Sequence, residues 1–165
     1  MRMLSLACAL AVASISAGAA QTTPAAKKAP AAKAAPAAAA RTIQLTGDDK
    51  MKYDVTELTA KPGETLKVVL KNIGTMPKMA MAHNFVLLKA GTDQVEFTKA
   101  AFNARDTDFV PAAMKDAVLA STGLAGPGET VEVTFKVPAK PGTYAFVCSF
   151  PGHFALGMKG TLVVK

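Results

Sequence analysis

The sequence predicts an all-β fold, a sandwich of about seven strands with a short helical insertion, and three observations predict it. Apolar and polar residues alternate in two separated runs. Pro-Gly turn signals stand directly before strand-like runs, and the alternation stops in a single internal stretch.

Taken in chain order, the strand-like runs begin with Thr42 to Leu45 and Tyr53 to Leu58. In "ETLKVVLKN", Leu66, Val68 and Leu70 oppose Thr65, Lys67, Val69 and Lys71, nearly the period of two that marks a half-buried strand. Ala82 to Lys89 is apolar enough for a fourth strand. From Thr92 to Ser121 the alternation is lost, and the segment reads as one or two short helices inserted between strands. "ETVEVTFKV" restores the pattern, with Val131, Val133, Phe135 and Val137 opposite Glu132, Thr134 and Lys136. Tyr144 to Cys148 and Thr161 to Lys165 complete the set. Lys61-Pro62-Gly63, Gly126-Pro127-Gly128 and Lys140-Pro141-Gly142 supply the turns.

The first 20 residues have the form of a secretory signal peptide: a positive start at Arg2, an apolar middle, and small residues at Ala17-Gly18-Ala19 and Ala20. This predicts an exported, periplasmic protein with no membrane span in its mature form. Residues 21–40, "QTTPAAKKAPAAKAAPAAAA", hold almost nothing but Ala, Pro and Lys, and prolines at 24, 30 and 36 oppose a helix. Such a segment cannot build a core and reads as a disordered tether. Residues 41–165 are then the single folded domain.

The formal charge of +7 belongs partly to the leader and tether, because residues 41–165 carry fifteen Lys and Arg against twelve Asp and Glu. With no concentrated basic run and no interleaved aromatics, nucleic-acid binding is excluded. Removal of the leader removes Cys8, which leaves Cys148 alone. An exported protein with one cysteine has no internal disulfide, so that thiol is buried, reactive or bound to metal.

Cys148 lies at the end of a strand-like run, His153 follows the Pro151-Gly152 turn, and Met158 comes before the last strand, with four residues between each pair. A loop of this length can fold all three side chains around one point. Thiolate, imidazole and thioether are soft donors that select copper over magnesium or calcium, and a copper electron-transfer site takes two imidazoles and a thiolate with a weak axial Met. The second imidazole must come from His83, the only other histidine, at the start of "HNFVLLK". Taken singly, each of these residues has a plainer role: Met158 as core filler, Cys148 as a small buried hydrophobe, His83 as a hydrogen-bonded strand residue. Their joint order points to one copper ion.

With these residues in hand, the chain resembles the cupredoxins, and within them the azurin group, over roughly 41–165. The resemblance is carried by "MPKMAMAHNFVL", "GPGETVEVTF" and "YAFVCSFPGHFALGMKGTLVV". It implies an eight-stranded Greek-key sandwich with a helical flap and one type 1 copper, which His83, Cys148 and His153 bind strongly and Met158 binds axially. The position before the first histidine, a glycine in azurins whose carbonyl faces the metal, is Ala82. Azurins place three residues between the last His and the Met. The four found here, Phe154 to Gly157, are more like auracyanins and plastocyanins. The azurin disulfide has no counterpart, and Phe85 stands where azurins bury a Trp. The resemblance also implies that Asn84 ties the two ligand segments together with Ser149, and that the backbone N–H of Phe150 donates to the Cys148 sulfur.

The implied function is electron transfer without catalysis, shuttling single electrons between periplasmic redox partners such as a cytochrome or a copper reductase or oxidase. Partners would dock where His153 nears the surface, at an apolar patch of Met76, Met79, Ala80, Met81, Phe154 and Leu156. Other readings are a periplasmic copper storage or delivery protein, a Cys-His hydrolase, and a metal-free structural sandwich. A multicopper oxidase is excluded for want of histidines.

Overall fold

The computed structural model describes residues 39–165. The expected leader and most of the expected tether, residues 1–38, lie outside the described residues.

Eight strands form two sheets. The smaller holds β1 (Arg41–Gly47), β3 (Thr65–Asn72) and β6 (Thr130–Lys136), in the order β1-β3-β6. The larger holds β2 (Glu57–Ala60), β4 (Val86–Leu88), β5 (Val118–Ser121), β7 (Gly142–Val147) and β8 (Lys159–Val164), in the order β2-β8-β7-β4-β5. β1 runs parallel to β3 and β2 parallel to β8, while the other pairs are antiparallel.

The period-2 expectation holds where it was strongest. Leu66, Val68 and Leu70 on β3 are fully buried, while Lys71 is exposed and the residues between are half-buried. Each such side chain contributes roughly 1.5–3 kcal/mol by leaving water. On β6 the inward set is Val131, Val133 and Phe135, and its final turn carries Val137 into the core. Between the sheets, Phe85 packs on Phe135 and Phe146 with ring centroids 6.5 and 5.1 Å apart, and Tyr53 lies 5.5 Å from Phe146.

Three expected elements are corrected. Tyr53 to Leu58 is not one strand: Tyr53 makes an isolated bridge to Gly47, and the strand begins only at Glu57. Ala82 to Lys89 is a strand only over Val86–Leu88, because His83 leaves the sheet to pair with Ala125, its N–H and carbonyl bonded to Ala125 at 3.0 and 2.8 Å. The insertion from Thr92 contains a helix (Gln94–Ala101), capped by the Asp93 carboxylate on the N–H groups of Val95 and Glu96, but its last part is β5. A one-turn helix, Lys78–Met81, was not foreseen. Among the described residues no helix is long and apolar enough to cross a membrane.

Candidate metal centre

The ends of the strands bring the site together. In the β1–β3 pair, Gly47 lies opposite Asn72 at one end. In the β7–β8 pair, Val147 lies opposite Lys159, so the following Cys148 and the preceding Met158 are neighbours, and the Cys148 N–H donates to the Met158 carbonyl at 3.0 Å. The loop between them is closed by its own backbone. His153 N–H bonds to the Phe150 carbonyl at 3.1 Å, Met158 N–H to the His153 carbonyl at 3.0 Å, and Gly157 N–H to the Phe154 carbonyl at 2.9 Å. Gly152 (φ 86°) and Gly157 (φ 96°) supply the left-handed residues that these turns need.

Within this frame, His83, Cys148 and His153 present their donor atoms within 4.8 Å of one another, all buried. His83 Nδ1 stands 3.2 Å from His153 Nδ1, which stands 3.5 Å from Cys148 Sγ. Two nitrogens about 2.0–2.1 Å from one metal would be separated by about this much, so the triangle fits a single small ion. Met158 is fully buried beside it. Its Cε and the His83 Cδ2 each lie 2.8 Å from the point a Cβ on Gly47 would occupy, so thioether and imidazole meet at the same glycine.

The surroundings favour neutral imidazoles and, without metal, a neutral thiol. Burial pushes the Cys148 thiol up to about 12, against the pull of backbone N–H groups of Asn84 and Phe150 that donate to its sulfur. Burial, helped by the positive charge of His83, lowers His153 to about 4. His83 is also lowered, again by burial, although the Asp48 carbonyl and the Asp48 and Asp49 charges oppose this. The His83 Nε2 is the buried side-chain polar atom for which no acceptor reaches hydrogen-bond geometry among the described residues. A metal that displaces the thiol proton removes the conflict between buried sulfur and N–H donors, since it stabilises the thiolate those donors favour.

The neighbours named from the resemblance lie close to the donors. Asn84 Oδ1 accepts from the Ser149 N–H at 2.9 Å, and Asn84 Nδ2 donates to Ser149 Oγ and to the Asp108 carbonyl, each at 2.9 Å. Phe150 donates its N–H to the sulfur, and its ring packs tilted 4.8 Å from that of His153. Ala82 is fully buried with an extended backbone next to His83. Phe85 fills the core position expected of it.

Sequence reasoning missed four contributors. The Asn84 N–H is a second donor to the sulfur, and the Tyr53 hydroxyl donates to the Asn84 carbonyl. Asn72 Nδ2 donates to the Met81 and Ala125 carbonyls at 3.0 Å, pinning the segment before His83. A polar Asn closing an alternating strand was the available signal for the last. Gly47 left none.

The apolar surface differs from expectation in one member and in one emphasis. Met81 is buried, 8 % exposed, because the short helix turns it inward, and so it cannot take part in a docking patch. Met76, Met79 and Leu156 are 43, 78 and 54 % exposed, Ala80 is exposed, and Phe154 is half-buried with Lys159 Nζ 4.7 Å above its ring. His153 itself is 2 % exposed, so the loop covers it more than the sequence implied.

Comparison with known proteins agrees with this geometry. Residues 40–165 match the family described as copper binding proteins, plastocyanin/azurin family. Azurin of Pseudomonas denitrificans is 39 % identical over 130 residues, covering 75 % of this chain and 98 % of azurin. Auracyanin-B of Chloroflexus aurantiacus is 38 % identical over 127 residues, which are 76 % of this chain and 52 % of that protein's length. Among solved structures, the dithionite-reduced auracyanin of Roseiflexus castenholzii superimposes with a TM-score of 0.68 at 38 % identity, covering 77 % of this chain and 98 % of that one. Auracyanin A, a "blue" copper protein of Chloroflexus aurantiacus, gives 0.69 at 35 % identity, covering 77 and 100 %. With two sheets in the cupredoxin arrangement and these donors at one end of them, the chain belongs to the plastocyanin/azurin family of copper-binding proteins.

Proposed function

We propose that this protein carries single electrons through one type 1 copper, held by His83, Cys148 and His153 with Met158 as axial ligand. The observation that carries the reading is the buried triangle of two Nδ1 atoms and one Sγ. Copper bound there supplies a one-electron Cu(II)/Cu(I) couple.

The chain's own residues supply the rest. Cys148 offers a sulfur whose negative charge the N–H groups of Asn84 and Phe150 stabilise, which tunes the potential. Asn84 and Ser149 tie the two ligand-bearing segments to each other, which would limit rearrangement of the donors between oxidation states. Phe150, whose ring lies 4.8 Å from that of His153, and the fully buried Met158 help to exclude water from the donors.

The leader-like N-terminus supports export, and the periplasm is the proposed compartment. The proposed partners are redox proteins such as a cytochrome or a copper reductase or oxidase, meeting the loop at Phe154 and Leu156 and the adjoining Met76, Met79 and Ala80. A small apolar contact of this kind suits brief encounters.

Titration of the mature domain with Cu(II), followed by visible absorption, tests the reading. An intense thiolate-to-copper band that saturates at one equivalent and vanishes in Cys148→Ser is expected. Absence of the band from folded, zinc-free protein would overturn it.

A further inference from the structure

β1 ends on Gly47, whose neighbours explain why no side chain stands there. Its backbone is that of a strand, and it is not among the glycines with positive φ, so no left-handed conformation demands glycine. Space does. A Cβ at this position would lie 2.8 Å from His83 Cδ2, 2.8 Å from Met158 Cε and 3.1 Å from His83 Cγ, well inside the roughly 3.5–4.0 Å at which carbon atoms attract. The two side chains that crowd it, His83 and Met158, are two of the four that would hold the copper.

They are not equally free to yield. The His83 backbone is bonded in both directions to Ala125, and its ring is packed at 5.0 Å from the His153 ring with Nδ1 facing Nδ1. The Met158 methyl is the far end of an unbranched chain with three rotatable bonds. A methyl group added at 47 is relieved by moving the thioether, not the imidazole.

We propose, resting on the type 1 copper reading above, that Gly47 is a positioning residue for the axial ligand. By lacking a Cβ it sets the place of the Met158 thioether, and through it the reduction potential. Its signature is a Gly47→Ala variant that keeps the thiolate band but has a weaker axial bond. Less donation from sulfur favours Cu(I), and the potential rises.

The experiment uses the copper-loaded mature protein with Gly47→Ala, Met158→Ala, the double variant, and Gly123→Ala as control, since a Cβ at Gly123 meets only the Asp108 carboxylate at an ordinary 3.5 Å. If the unmutated protein lacks the thiolate band, the functional reading fails before Gly47 is tested. With the band present, Gly47→Ala is expected to bind one equivalent, raise the potential relative to both wild type and Gly123→Ala, and shift the band. It should add nothing further once Met158 is Ala, because the effect passes through that side chain. An unchanged or lowered potential, or the same shift in both backgrounds, would overturn the proposal. A measurement without variants guards against a misfolded Gly47→Ala: in copper-free wild-type protein the Gly47 Hα protons and the labelled Met158 methyl are expected to show a strong nuclear Overhauser contact. Its absence would also overturn the assignment.

Discussion

Asn84 and Ser149, 65 residues apart, hold each other by two hydrogen bonds of 2.9 Å, one from the Ser149 N–H to Asn84 Oδ1 and one from Asn84 Nδ2 to Ser149 Oγ. Each is the immediate neighbour of a strong donor, His83 on one side and Cys148 on the other, so the pair fixes the separation between imidazole and sulfur. Both residues are buried, at 0 and 1 % exposure.

Asn84→Ala leaves the Ser149 N–H and the Asp108 carbonyl without their partners. An unsatisfied buried group costs about 1–3 kcal/mol, so the expected outcome is a loss of several degrees in Tm together with faster copper release to a chelator. Calorimetry and stopped-flow absorption check the two effects. An unchanged release rate would mean that the clamp stabilises the fold without holding the ligands.

The sulfur of Cys148 accepts N–H donors from Asn84 and Phe150. Phe150→Pro deletes one of them and keeps the chain's length. A thiolate with one donor fewer gives more charge to Cu(II), so the potential is expected to fall. If about 1 kcal/mol of the bond is lost from one oxidation state, the fall is on the order of 50 mV for a one-electron couple. Voltammetry of the variant beside Phe150→Leu, which retains the N–H, separates the bond from the ring.

Asp49 binds the next loop to the site, accepting from the Thr75 N–H at 2.8 Å, the Thr75 hydroxyl at 3.0 Å and the Met76 N–H at 3.3 Å. The Thr75 N–H foremost, with the other two donors assisting, holds its carboxyl below the usual carboxylate range, against the opposing effect of partial burial. Because the folded pKa is the lower one, this stabilisation is fully present above the unfolded value of about 3.9 and is lost as pH falls through the folded value. Amide exchange at Thr75 and Met76 in copper-free protein should accelerate over that acid window relative to core amides, after correction for intrinsic rates. In Asp49→Ala the protection should be absent at every pH. Equal protection in the two proteins would show that the loop is ordered by other contacts.

How much of this was legible in the sequence follows from what each residue does. Leu66, Val68 and Leu70 announce β3 because a half-buried strand must alternate. The donors announce themselves because few residue types bind copper and this chain has few of them. Val118 to Ser121 was hidden, since four small and apolar residues after a helical stretch have no period of their own. The strand expected from Ala82 fails because backbone pairing between His83 and Ala125 is a tertiary fact, invisible to local pattern. Met81 was misplaced because a single helical turn decides which of three neighbouring methionines points inward. Gly47 is illegible for the opposite reason to the donors: its contribution is the atoms it lacks.

The pairing of Val147 with Lys159 leaves Cys148, His153 and Met158 all within the last 18 residues of the chain, next to a final strand, β8, that lies between β2 and β7. During synthesis or export from the N-terminus, β1 to β7 emerge before the first strong donor of this segment. A chain that has not yet reached Cys148 therefore holds only one of the four proposed ligands, His83. Metal uptake becomes a check on completion: a chain cut short before Met158 cannot acquire the full coloration of the finished protein, however well its earlier strands have paired.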